Sequence, residues 1–85
     1  MPYIKQDERL IFDGDCEIMS ANIETEGQLN YVITKLCHGY LKKHGTNYAN
    51  LNAVHGVLNC ADKELYRRIT SPYEDTKIEQ NGDVK

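Results

Sequence analysis

Apolar residues recur at helical spacing through the middle of this chain. Leu29, Val32, Ile33, Leu36, Cys37, Tyr40 and Leu41 follow one another at intervals that place them on one stripe of period 3.6. Thr25-Glu26-Gly27-Gln28 precedes the stripe. It fits a capping box, with Thr25 at the N-cap and Gln28 three residues on. Lys42, Lys43 and His44 crowd the far end, where positive charge complements the helix dipole, and Gly45 follows as the expected C′ residue. Thr46 or Asn47 can then cap another helix. In it Leu51, Val54, Leu58, Ala61 and Leu65 recur at spacings of three and four, and Ile69 lies one turn further. This is close to a heptad seam. A helix over 47–70 would be ~36 Å long. Pro72 disfavours helical geometry at Ser71, so the helix is expected to stop there.

The first segment, 7–23, admits two readings. Leu10, Ile11, Ile18 and Met19 can share one helical face, whereas Asp13-Gly14-Asp15 interrupts it. A glycine inside a helix costs about 1 kcal/mol relative to alanine. Asp-Gly is also a hairpin turn signal. A helix, kinked or starting late, is preferred and a short hairpin is the alternative. The remainder, 73–85, is charged, carries an Asn81-Gly82 turn signal and reads as a tail.

The pattern therefore predicts an all-α fold: a small three-helix domain over 1–72 with a C-terminal tail over 73–85. Helices two and three form a helical hairpin closed at Gly45-Thr46, the third helix is long, and the first crosses them. Gly56, in the middle of the third helix, reads as a point of close helix approach, against Gly39 for example.

Size and charge narrow the function classes. Eighty-five residues make one domain. A core of this size yields about 3–5 kcal/mol, so the seam on the third helix suggests a homo-oligomer, most simply a dimer. The net charge of −3 argues against a nucleic-acid module that relies on overall charge. No apolar run approaches the ~20 residues of a membrane span. The N-terminus reads as lacking a signal peptide, and Cys16, Cys37 and Cys60 form no paired motif. Free thiols in a cytoplasmic setting are the expectation.

Catalytic and metal chemistry is poorly supplied. Cys37, His38, His44, His55 and Cys60 lack the close pairing of structural zinc ligands. There is no nucleophile elbow and no phosphate-cradling glycine loop. Neither enzyme activity nor a cofactor is expected. Binding chemistry is richer. Six tyrosines occur without a tryptophan. Tyr48 and Tyr66 combine a flat apolar ring with a hydroxyl, suited to stacking on a base, although they could equally rim a core. Arg67 and Arg68 could fork onto phosphate, or could merely compensate the helix dipole and pair with Glu64 or Asp62. Asn52, His55 and Asn59 form a polar stripe beside the seam. Such a stripe can line a ligand, fix register at an interface or face solvent.

Several stretches carry a resemblance when taken together. They are Met1-Pro2-Tyr3-Ile4-Lys5-Gln6, Leu29-Asn30-Tyr31-Val32-Ile33-Thr34, Asn47-Tyr48-Ala49-Asn50-Leu51-Asn52, Glu64-Leu65-Tyr66-Arg67-Arg68, Pro72-Tyr73-Glu74-Asp75 and Asn81-Gly82-Asp83-Val84. The chain resembles a family of small uncharacterised phage and bacterial proteins. It departs from that family's charge-rich helical pattern at 11–20, and ends in Lys85 where the family tends to end in an aromatic residue. By analogy with small phage proteins, the resemblance implies a non-enzymatic protein acting in the host cytoplasm. Two functions are expected. One is sequestration of a small anionic ligand, a nucleotide signal of host defence, by Tyr48, Asn52, His55, Asn59, Tyr66, Arg67 and Arg68. The other is inhibition of a host defence or regulatory protein by direct binding.

Overall fold

The periodicity of the middle of the chain is realised in three helical stretches. The computed structural model describes residues 2–85, so Met1, the first residue of the opening motif, lies outside the described residues. Helix α1 spans Gln6–Asn22, α2 spans Glu26–His44 and α3 spans Tyr48–Leu65. A π turn, Tyr66–Thr70, follows α3 directly, and α4, Ser71–Asn81, continues from it. The protein is all-α, with no strand among the described residues.

Residues Tyr3–Val54 form one compact body, and His55–Lys85 together with Pro2 form another. In the first body, the 7–23 ambiguity resolves as an uninterrupted helix. Asp13-Gly14-Asp15 lies inside α1 and no hairpin forms. The penalty of one glycine is about 1 kcal/mol, too little to break a 17-residue helix already propagating on both sides. Asp7 and Glu8 occupy its first turn, where the dipole favours acids. The apolar face of α1 is in part the one its spacing suggests. Ile18 and Met19, together with Phe12 and Cys16, line an open groove of ≈ 450 Å³ shared with Val32 and Leu36 of α2. Leu10 and Ile11 stay 78% and 68% exposed. No backbone of α1 reaches packed-helix distance from α2, so in this chain the first helix does not cross the second closely.

The end of α1 and the start of α2 are joined by the expected capping box. The Gln28 backbone N–H donates to Thr25 Oγ1 at 3.1 Å, and Gln28 Oε1 accepts from the backbone N–H groups of Thr25 and Glu24 at 3.2 and 2.7 Å. At the other end Gly45 has φ +105°, a conformation that disfavours side chains, and its N–H donates to Leu41 O at 2.7 Å. The turn into α3 is then built from asparagines. Asn47 Oδ1 accepts from the Asn50 backbone N–H at 2.9 Å, an N-cap bond. Asn50 Nδ2 reaches back to His44 O and Gly45 O at 3.1 and 2.9 Å. Two of the asparagines in this run are therefore structural.

The second body departs from expectation at Pro72. The helix does not end at Ser71 but continues to Asn81, so most of the stretch read as a tail is helical. Proline lacks a backbone donor, and its ring clashes with the carbonyl four residues earlier in a regular α-helix. Here the turn before it widens. The Ser71 N–H donates to Tyr66 O, five residues back, and Pro72 falls in the first turn of α4, where its missing N–H is tolerated. Gly82, at φ +89°, ends α4 with its N–H on Ile78 O at 2.8 Å.

No described residue is fully buried. Ile23, Val32, Cys37, Leu41, Leu51 and Val54 are half-buried, whereas Leu58, Leu65 and Ile69 of the expected seam are exposed. Gly56 has no close neighbour either: a Cβ there would meet nothing within 4 Å, and the same holds for Gly39.

Candidate ligand-binding site

The seven residues singled out by their chemistry lie on α3 and the π turn. Tyr48 and Asn52 belong to the first body, and His55, Asn59, Tyr66, Arg67 and Arg68 to the second. Tyr48 opens α3 and is 86% exposed. Asn52 is exposed as well.

Within the second body, helical geometry sorts the remaining five. His55, Asn59 and Tyr66 recur at intervals of four and seven, which return to nearly the same side of a helix. Asp62 falls on that side too. Tyr66 therefore extends the polar stripe rather than standing apart from it. Arg67 sits a quarter-turn round, and residues two apart do not face each other, so Arg68 lies on the far side of the helix from Tyr66. One chain does not assemble both arginines and the tyrosine into a single clamp.

The electrostatics differ between the two arginines. Arg67 Nη2 bonds Glu64 at 3.0 and 3.3 Å to its two carboxylate oxygens, with the Glu64 side chain only 22% exposed. The pairing with Glu64 that the sequence allows is thus formed. An anion approaching Arg67 would have to compete with Glu64. Arg68 makes no ion pair among the described residues. Tyr66 is 54% exposed, and its hydroxyl donates to Glu74 Oε1 at 2.8 Å. That hydrogen bond, then the negative charge of Glu74, slight desolvation and the charge of Asp75, raise the phenol above its ordinary range near 10.

Glu74 is the residue that sequence reasoning missed. Eight residues on a regular α-helix leave two side chains about 80° apart and ~12 Å along the axis. The partnership becomes visible only once the extra residue of the π turn is known. Pro72 was the available signal, since a proline inside an otherwise helical pattern requires some local adjustment.

Among the described residues no group of three or more His, Cys, Asp or Glu could hold a metal ion, and no helix is long and apolar enough to cross a membrane. The three cysteines are free, Cys16 and Cys60 exposed and Cys37 half-buried. No curated protein and no solved structure matches the chain. A family model does, across the stretch that carries all the recognised motifs: the chain belongs to the family described as a domain of unknown function, DUF6899, whose model matches residues 1–84.

Proposed function

We propose that this protein is a non-enzymatic binding protein that acts as a homo-oligomer and sequesters a small anionic ligand, a nucleotide signal of host defence, in the manner of a phage-encoded inhibitor in the host cytoplasm. The observation that carries the reading is the single face formed by His55, Asn59 and Tyr66. An exposed ring offers a stacking surface, and an amide and an imidazole, about 10 and 16 Å back along the same side of the helix, offer hydrogen bonds to other parts of the ligand. The same face also carries Asp62 and Glu74, which suits a base better than a phosphate. Phosphate would fall to the arginines. Arg67 flanks the face, and Arg68 points away from it and would serve a site completed by a second copy.

Self-association has independent support. Leu58, Leu65 and Ile69 are exposed, and no described residue is fully buried. Full burial of one such side chain is worth about 1.5–3 kcal/mol, a large share of the stability of a small domain. A second copy covering that seam supplies the burial that the chain alone does not.

Native mass spectrometry of the purified protein, with analysis of whatever small molecules it releases on denaturation, tests both parts. A thermal-shift panel of ATP, 3′,5′-cyclic AMP and 3′,3′-cyclic di-AMP complements it. The expected result is an oligomer that retains a nucleotide or is stabilised by one, and loses the effect on Tyr66→Ala. An oligomer with no copurifying nucleotide and no stabilisation across the panel overturns the ligand reading. It would favour the second one, inhibition of a host protein by direct binding through the acidic surface and the exposed tyrosines.

A further inference from the structure

The Tyr66–Glu74 partnership follows from how the π turn changes helical register. A π turn inserts one residue into one turn of the helix. Eight residues then occupy the angular place of seven, close to two full turns, and Glu74 comes to within about 20° of the Tyr66 face. Side chains on a helix lean toward its N-terminus, so the Glu74 carboxylate reaches back over the widened turn. There it accepts from the Tyr66 hydroxyl at 2.8 Å. Pro72 stands between the two residues, and its ring is the local reason for the widened turn. We infer that Glu74, placed by the Pro72-dependent π turn, is a positioning residue that holds the Tyr66 ring on the His55–Asn59 face for ligand binding.

The purpose assigned to the ring rests on the ligand-binding reading above; the geometry that holds it does not. Without an anchor the ring is free to rotate about its side-chain bonds, and ordering such a side chain on binding weakens affinity by about 2- to 10-fold. Glu74 removes that penalty beforehand without touching the ligand itself.

The test uses the full chain with Glu74→Ala, Glu74→Gln, Pro72→Ala, Tyr66→Ala and Tyr66→Phe, each checked for helicity by circular dichroism. Spectrophotometric titration of tyrosine, with Tyr66→Phe subtracted, isolates the Tyr66 phenol. It should ionise at higher pH in the parent than in Glu74→Ala. Pro72→Ala should resemble Glu74→Ala although neither bonded residue is changed, because a regular helix carries Glu74 off the Tyr66 face. Affinity is then measured by calorimetry for the same three nucleotides. Any nucleotide that Tyr66→Ala weakens should be weakened about 2- to 10-fold by Glu74→Ala and less by Glu74→Gln, whose side-chain carbonyl still accepts. The inference is overturned if Tyr66 titrates alike in the parent and Glu74→Ala, or if Glu74→Ala leaves unchanged an affinity that Tyr66→Ala weakens. If no nucleotide binds the parent protein, the ligand reading fails by itself, and the titration alone decides whether Glu74 holds Tyr66.

Discussion

The hydroxyl of Tyr66 donates to the carboxylate of Glu74 at 2.8 Å, although the two residues are eight apart on what the sequence would make two separate elements. The bond ties the end of α3 to α4 across the turn that Pro72 widens. The phenol is raised by it, chiefly through the hydrogen bond and then through the charge of Glu74. A group with a raised folded-state pKa holds its proton more tightly folded than unfolded. Its stabilising contribution is complete below the unfolded value near 10 and is lost as pH rises through the folded value. The urea midpoint of the parent protein should therefore exceed that of Glu74→Ala by a constant margin between about pH 7 and 9. The margin should shrink above about pH 10. An undiminished margin at high pH would show that the gain does not come from the Tyr66 proton.

Thr25 is a second isolated determinant. Its hydroxyl oxygen accepts from the Gln28 backbone N–H at 3.1 Å, and Gln28 returns the bond. Thr25→Ala leaves that donor without its cap and should destabilise the protein by about 1 kcal/mol. Thermal unfolding at fixed protein concentration measures it, since an oligomer's midpoint depends on concentration. Thr25→Ser keeps the accepting hydroxyl and should recover most of the loss.

Gly14 has open space where a Cβ would stand and sits in the interior of α1. Gly14→Ala should raise stability by about 0.5–1 kcal/mol and increase helicity by circular dichroism. A decrease would mean that something outside the chain approaches that surface of α1.

Asn50 closes the turn after α2. Its side-chain amide donates to two carbonyls, His44 O and Gly45 O. Asn50→Ala removes both bonds and should cost about 0.5–1.5 kcal/mol, since water can reach the His44 carbonyl in their place. Hydrogen exchange should quicken at the start of α3, beginning with the Leu51 amide that donates to Asn47 O. Exchange unaltered there would assign the turn to Gly45 alone.

Gly56 discriminates between a lone chain and an assembly. A Cβ added to it meets nothing within 4 Å in the chain. In a monomer Gly56→Ala should therefore stabilise by about 0.5–1 kcal/mol, as any exposed helical glycine does when replaced. If a second copy approaches closely there, the same change should weaken self-association, read as a shift toward smaller species in sedimentation velocity. Stabilisation with the oligomer intact would place the interface elsewhere on the seam.

The sequence by itself determined what is local. The 3.6-residue period of Leu29 to Leu41 placed α2, the Thr25–Gln28 box its start and Gly45 its end, because caps and periodicity depend on neighbours within four residues. Asn52, His55 and Asn59 were legible as a stripe for the same reason. What required the tertiary structure was set by competition between local terms or by distance along the chain. Continuity through Asp13-Gly14-Asp15 depended on whether the helix on either side outweighed one glycine. The fate of the chain at Pro72 depended on whether a steric clash ended the helix or widened it by one residue. Widening prevailed, and with it Glu74 came round to Tyr66, a partnership that no regular period predicts. The seam was legible, but its exposure was not. Periodicity shows which side chains form a face, and only the arrangement of the helices decides whether the chain covers that face itself.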